Sequence, residues 1–150
     1  MKKLILIPVL AVLCLLSGCT KEEVYISQGS YVYTEYPQVA VNQWVADNLL
    51  FDDGTSTTNY WYCEYANQHI DKNMIENSFI LTYFVDENGR DVPLPTVIKD
   101  ATATHSALIR YDVEEGKVTF IVESLDNSYA TLGSWLPETM SFKVCMMVNR

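Results

Sequence analysis

The sequence of 150 residues predicts an all-β fold, an antiparallel β-sandwich or a partly open barrel. Apolar and polar residues alternate at period two in several segments, which is the spacing of half-buried strands. Ten tyrosines, with many valines, isoleucines and threonines, favour a pleated surface. Only one short stretch has helical spacing, so we expect sheets to form most of the core.

The N-terminus has the pattern of a bacterial lipoprotein signal peptide, assigned to residues 1–18. Lys2 and Lys3 precede an apolar run that is shorter than the ~20 residues a membrane-spanning helix needs. The run closes with Leu16-Ser17-Gly18-Cys19. An ordinary secretory leader needs no cysteine there, so we expect cleavage before Cys19 and lipidation of its thiol. The membrane is thus a predicted partner, held through the N-terminal lipid.

The residues after Cys19 favour an address at the outer membrane or cell surface. Lys21 is followed by two acidic residues, which is similar to the surface-export signal of Bacteroidota lipoproteins. A solvated charged tether is the alternative explanation. We expect residues 19–30 to be the lipidated cysteine and a polar tether, and residues 31–150 to be one β domain.

Charge excludes nucleic acid as an expected partner. Lys2 and Lys3 leave with the leader, so eight basic and nineteen acidic side chains remain, a net charge of −11. Nucleic-acid binding needs clustered Lys and Arg, whereas an acidic surface suits solubility outside the cell. We expect a monomer.

Six segments are predicted to be strands. Val39–Ala46 and the very aromatic Tyr60–Ala66 come first, and Phe79–Val85 is so apolar that it is expected to be covered on both faces. Trp61, Cys63 and Tyr65 share one face of the second segment. The alternating segments near the C-terminus are Ala107–Val113, Val118–Val122 and Phe142–Val148, with Val118, Phe120, Val122, Phe142, Val144, Met146 and Val148 facing the core.

Turn residues support this division. Asn88-Gly89 and Glu115-Gly116 are hairpin signals. Pro93 and Pro95 cannot donate to a ladder, so the segment containing them is expected to be an edge strand or irregular. The single helix is predicted near residues 71–77, with Asp71 as its cap and with Met74 and Ile75 packing down.

A resemblance follows from segments Asp71–Asn77, Phe79–Phe84, Val92–Pro95, Gly116–Phe120 and Phe142–Met146. In this order they resemble small, uncharacterised surface lipoproteins of Bacteroidota over roughly residues 35–150. The resemblance implies a shared β fold and carries no catalytic residue. The chain departs from the pattern because no tryptophan stands just before Val92.

The sequence predicts no catalytic residue, no metal site and no cofactor. His69 and His105 stand far apart without a recognisable context, and zinc needs closely spaced ligands. Two acidic stretches, Asp86–Asp91 and Asp52–Thr55, offer oxygens but do not match a calcium loop. Cys63 and Cys145 either form a disulfide in an oxidising compartment or remain separate buried thiols.

Aromatic residues supply the remaining functional signal. Tyr60, Tyr62 and Trp135 are candidate ligand-binding residues, because exposed Tyr and Trp make low-entropy contact surfaces for a protein or glycan. Cross-strand packing is the alternative. We therefore expect a non-catalytic binding, adhesion or accessory module, with an extracellular hydrolase of glycans or peptides and a structural or assembly component as alternatives. A polar pocket containing a histidine or a carboxylate pair would favour the hydrolase, and an exposed aromatic platform without one would favour binding.

Overall fold

The computed structural model describes residues 22–27, 30–50, 57–125 and 136–148, and the side chains of 31–47, 60–125 and 136–147. Within these ranges the regular secondary structure consists of strands, one short 3₁₀ turn, Val41–Gln43, and one helix, α1, Lys72–Asn77. The strands are β1 (Glu22–Ser27), β2 (Ser30–Glu35), β3 (Gln38–Ala40), β4 (Val45–Leu50), β5 (Thr57–Ala66), β6 (Phe79–Val85), β7 (Asp91–Pro93), β8 (Thr96–Lys99), β9 (Ser106–Glu114), β10 (Lys117–Ser124) and β11 (Thr139–Val148).

Two antiparallel sheets form the fold. Sheet A has the order β1-β2-β11-β6-β7, and β3 also pairs with β11. Sheet B has the order β4-β5-β10-β9-β8. The inner faces of both sheets contribute to one hydrophobic core. The predicted all-β, sandwich-like class is therefore confirmed.

The middle strands of the two sheets supply the centre of the core. Val118, Phe120 and Val122 of β10 are fully buried, and so are Phe142, Val144 and Met146 of β11. All six were predicted to face inward from their period-two spacing. The rings of Phe120 and Phe142 stack with their centroids 4.0 Å apart and their planes at 15°. This contact joins the two sheets at their centres.

The strand predicted over Val39–Ala46 is wrong as one element. The 3₁₀ turn Val41–Gln43 divides it, and β3 belongs to sheet A whereas β4 belongs to sheet B. The Gln43 side chain accepts a hydrogen bond from the Ala40 N–H at 2.7 Å, and the Val41 N–H donates to the Glu138 carbonyl at 2.8 Å. These bonds replace ladder bonds where the chain crosses from one sheet to the other.

Strand β6 forms as predicted but is not covered on both faces. Thr82 is buried between the sheets, whereas Phe79 is 66% exposed and Leu81 is 51% exposed. The strand is bonded to β11 and β7 at both edges, yet no further layer lies over its outer face among the described residues. Pairing with strands on both sides satisfies the backbone N–H and C=O groups of β6, but it does not bury the side chains that point outward.

The N-terminal stretch also differs from expectation. Part of the predicted polar tether, Glu22–Ser27, is strand β1 and pairs with β2. The described part of sheet A therefore begins within three residues of Cys19. Cys19 itself and the leader lie outside the described residues.

Both predicted hairpin turns lie where the sequence places them, but only one of them is a two-residue loop. Glu114 pairs with Lys117, so Glu115-Gly116 is a two-residue hairpin loop, and Gly116 has φ +81°. The β6–β7 loop is longer, because the Asp86 carboxylate accepts the backbone N–H groups of Asn88 and Arg90, both at 2.9 Å. As predicted, the proline-containing β7 is an edge strand of its sheet.

Helix α1 confirms the predicted helix at 71–77. The Asp71 carboxylate accepts the Met74 N–H at 2.7 Å, which is an N-cap bond. Met74 is buried, but Ile75 is exposed, contrary to expectation. A helix of six residues can direct only part of its surface toward the core, and Met74 occupies that part.

Replacing Phe120 with alanine should destabilise the domain by about 3–5 kcal/mol, because it leaves a cavity beside Phe142. Val97→Ala is the matched control at a half-exposed site and should change stability by less than about 0.5 kcal/mol. Chemical unfolding followed by circular dichroism measures both. Equal effects of the two substitutions would contradict the central role of the Phe120–Phe142 stack.

Candidate functional site

One end of the sandwich holds a concavity with both polar and apolar walls, which we call the end pocket. Its first wall is the turn after β5. The Asn67 N–H donates to the Gly116 carbonyl, and the Gly116 N–H donates to the Ile70 carbonyl, both at 2.7 Å. The turn is thus bonded to the β9–β10 hairpin. Strand β2 brings Glu35 to the same place from sheet A.

Glu35 and Asn67 form the floor of the end pocket. Each is only 3% exposed. The Glu35 Oε2 atom accepts hydrogen bonds from the Tyr65 hydroxyl and from the Asn67 amide, both at 2.8 Å. The Asn67 Oδ1 atom accepts the His69 N–H at 2.9 Å. Buried polar groups are costly unless they are bonded, and these bonds fix the floor in one geometry.

His69 separates two lobes of the end pocket. Its ring stacks on Tyr33, with centroids 5.1 Å apart and planes at 16°. The lobe over the floor has a volume of about 440 Å³ and is lined by Glu35, Tyr65, Ala66, Asn67, Gln68, His69 and Gly116. The second lobe has about 260 Å³ and is lined by Tyr31, Tyr33, Gln68, His69, Asp71, Asn73 and Met74.

The end pocket therefore combines fixed hydrogen-bonding groups with aromatic faces in a space suited to a small ligand. The sequence did not single out Glu35, Tyr65 or Asn67 as site residues. A weak signal existed, since Glu35 continues the alternation of Tyr31 and Tyr33 and so puts a carboxyl group on an inward face. Their meeting depends on a contact between β2 and β5, which lie in different sheets.

Tyr60 and Tyr62 lie together elsewhere, on the outer face of sheet B. Their ring centroids are 6.1 Å apart at 40°, and the Tyr60 hydroxyl donates to Asp47 at 3.3 Å. Partial burial, and then the Asp47 carboxylate, raise the pKa of Tyr60. We call this surface the tyrosine face. Trp135, the third predicted ligand-binding residue, lies outside the described residues.

Charged side chains surround the tyrosine face. Lys117 contacts Glu64 at 2.6 Å and Glu114 at 3.2 Å, and its hydrogen bonds to these two residues raise its pKa. Arg110 contacts Asp112 at 3.1 Å and Glu123 at 3.6 Å. Pairs this accessible to water add little stability. The concavity that Lys117, Glu64 and Glu114 share with the tyrosines has a volume of about 240 Å³, and its described lining has no buried polar group comparable to Glu35 and Asn67 in the end pocket.

The remaining candidates occupy separate places. His105 is in the β8–β9 loop and is not among the residues that line the end pocket. Asp86 uses its carboxylate on Arg90, at 2.6 Å, and on its own loop. Asp52–Thr55 lie outside the described residues. Within the described part of the chain, no cluster of three or more His, Cys, Asp or Glu residues could hold a metal ion.

Cys63 and Cys145 are free thiols, so the possible disulfide is not formed. Cys63 points from sheet B into the core, whereas Cys145 lies between the inward-facing Val144 and Met146 and points outward from sheet A. Two side chains on opposite sides of one sheet cannot meet. Desolvation by burial, and then Glu64, raise the pKa of Cys63, which keeps that thiol protonated and unreactive.

Comparisons with protein-family models, curated proteins and solved structures found no match to this chain. Among the described residues, no helix has the length and apolar character needed to cross a membrane.

The loop between β8 and β9 gives a pH prediction. Desolvation opposes ionisation of Asp100, but hydrogen bonds from Thr102, His105 and Thr104 outweigh it and lower the pKa to about 2. Because the pKa of Asp100 is lower in the folded protein than the unfolded value of about 3.9, the ionised carboxylate stabilises the loop at pH values above about 3.9. This stabilisation is lost as the pH falls toward 2. Carbon-detected NMR of the folded protein should give an Asp100 midpoint near 2.

The Thr104 N–H donates to Asp100, so its amide chemical shift should change with the same midpoint in the parent protein. In Asp100→Asn this pH-dependent change should be absent. An Asp100 midpoint close to 4 would show that the hydrogen-bonded loop does not persist in solution.

Proposed function

We propose that this chain is a lipid-anchored module of a bacterial cell envelope, exposed at the cell surface, that binds a ligand without transforming it. The observation that carries the binding role is the end pocket, where the buried Glu35 and Asn67 are held in fixed positions beneath an open concavity. The Leu16-Ser17-Gly18-Cys19 run supports the anchor, and Lys21 with the two acids after it supports the surface address.

The chemistry of the end pocket favours a small polar ligand, such as one sugar unit of a glycan or a polar peptide segment. Glu35, Asn67 and Gln68 offer planar hydrogen-bonding groups, and Tyr33 offers an aromatic face. A floor already organised by internal bonds loses little entropy when a ligand binds. The tyrosine face is the alternative contact surface, and an array of copies on one cell would raise its weak binding through avidity.

A hydrolase is the second candidate, because His69 and the Glu35 carboxyl line the same lobe. A polar pocket that contains a histidine and a carboxyl group is a feature that favours an enzyme. Binding is nevertheless the better-supported role. Glu35 is 3% exposed and is bonded within the protein to Tyr65 and Asn67, which suits a group that holds the pocket floor in place better than a general base that must reach a substrate proton.

The anchor is tested by expressing the full chain in a lipidating bacterium. Mass spectrometry should find an N-terminal peptide that starts at Cys19 and carries diacylglycerol, and the protein should enter the detergent phase. Cys19→Ala should lose this partitioning, while Cys14→Ala, within the leader, serves as the matched control and should keep it. If Cys19→Ala still partitions into detergent, the anchor lies elsewhere.

The site is tested with a multivalent soluble domain on glycan and peptide arrays, beside a panel of glycosidase and peptidase substrates. For the best ligand, His69→Ala and Glu35→Gln should each weaken binding about tenfold or more, which corresponds to ~1.4 kcal/mol. Tyr62→Ala, at the tyrosine face, should change binding by less than about twofold.

The opposite ranking of these variants would move the site to the tyrosine face. Substrate turnover that His69→Ala or Glu35→Gln abolishes would establish the hydrolase instead. Silence in both assays would favour the structural or assembly role.

A further inference from the structure

The outer face of sheet A carries an exposed apolar surface. In the strand register Leu81 pairs with Cys145 and Phe79 pairs with Met147, while Val32 pairs with Met147 from the other side. Directly paired residues share a face of a sheet. We call these five residues the outer apolar patch. Its most exposed members are Phe79, at 66%, and Leu81, at 51%.

The same register places the start of the sheet beside the outer apolar patch. Glu22 pairs with Thr34, and Thr34 pairs with Cys145, so Glu22 stands in the row that contains Leu81. Strands lie about 4.8 Å apart, which puts Glu22 roughly 14 Å from Leu81.

The predicted lipid is close to that row. Only Thr20 and Lys21 separate Cys19 from β1, and an extended chain spans at most about 3.6 Å per residue. Cys19 therefore lies within roughly 11 Å of Glu22. With Cys19 lipidated as proposed above, so short a connection would keep the edge of sheet A close to the membrane surface.

Charge distinguishes the two outer faces. The outer face of sheet B carries Asp47, Glu64, Asp112, Glu114 and Glu123. On the outer face of sheet A, Asp91 is the one carboxylate among the described strand side chains and contacts Lys143 at 2.6 Å, and the register adds one acidic residue, Glu22, at the edge strand. The Lys143 ammonium also lies 5.9 Å from the Tyr36 ring centroid and 5.7 Å from that of Tyr83. Lysine and tyrosine are side chains suited to a membrane interface.

We propose that the outer apolar patch rests on the lipid bilayer, with Phe79 and Leu81 entering the interface. The proposal rests on the lipid anchor proposed above. In this orientation the anchor and the patch hold sheet A parallel to the bilayer, and the acidic tyrosine face points away from it. A second copy of the chain covering the patch is the competing occupant.

The test places a tryptophan on each outer face of the full, lipidated chain. Phe79→Trp lies in the outer apolar patch, and Val97→Trp is the matched control, since Val97 is 50% exposed on β8 of sheet B. Each protein is reconstituted in phosphatidylcholine–phosphatidylethanolamine vesicles, with or without phosphatidylcholine brominated near the headgroup end of its chains. The emission of the parent protein is subtracted to remove the native tryptophans.

Bromolipid should quench the added emission at least twofold more in Phe79→Trp than in Val97→Trp, and Leu81→Trp should behave like Phe79→Trp. Circular dichroism checks that each variant folds, and mass spectrometry of the same samples checks the lipid on Cys19. Equal quenching at both faces in lipidated protein overturns the bilayer contact and leaves the anchor intact. A missing lipid overturns the anchor, and the bilayer contact with it.

The competing occupant gives a different result. If a second copy covers the outer apolar patch, the Phe79→Trp emission shifts to the blue in detergent without vesicles, and light scattering reports a dimer. That outcome also overturns the bilayer contact.

Discussion

The stack of Phe120 on Phe142 is the contact on which the rest of the fold depends. It joins the middle strand of each sheet, with ring centroids 4.0 Å apart, and both rings are fully buried. Trp44 and Phe84 pack around Phe142 at 6.3 and 6.1 Å. Close-packed interiors tolerate few voids, so this pair sets the separation of the sheets and thereby the positions of their ends.

The end pocket depends on the spacing between sheets A and B at the edge of the core. Glu35 comes from sheet A, whereas Tyr65 and Asn67 come from β5 and the turn after it, and they meet only if the sheets stay in register. A carboxyl group and an amide at such a boundary are costly to desolvate. The hydrogen bonds of Glu35 with Tyr65 and Asn67 offset this cost. They also give the pocket a rigid floor with polar groups, which apolar side chains would not provide. The proposed binding role depends on this rigidity.

The outer faces of the two sheets differ in charge and polarity. Sheet B presents tyrosines and paired charges to solvent, while sheet A presents apolar side chains near the predicted anchor. This asymmetry is the physical basis for proposing that one face meets the membrane and the other meets the exterior. In the proposed orientation, the two residues between Cys19 and β1 keep this edge of sheet A close to the lipid.

The sequence by itself determined the strands whose inward side chains alternate, such as those containing Phe120 and Phe142, and the cap at Asp71, since these follow from local periodicity and hydrogen bonding. It also predicts lipidation at Cys19, because the lipoprotein signal is a linear motif. Only the tertiary structure decided that Val39–Ala46 divides between two sheets, that β6 is open on one face and that Cys63 and Cys145 point apart. It also brought Glu35 to Asn67, 32 positions later in the chain. Alternation specifies which residues share a face, but the choice of what covers that face depends on long-range packing that no local pattern contains.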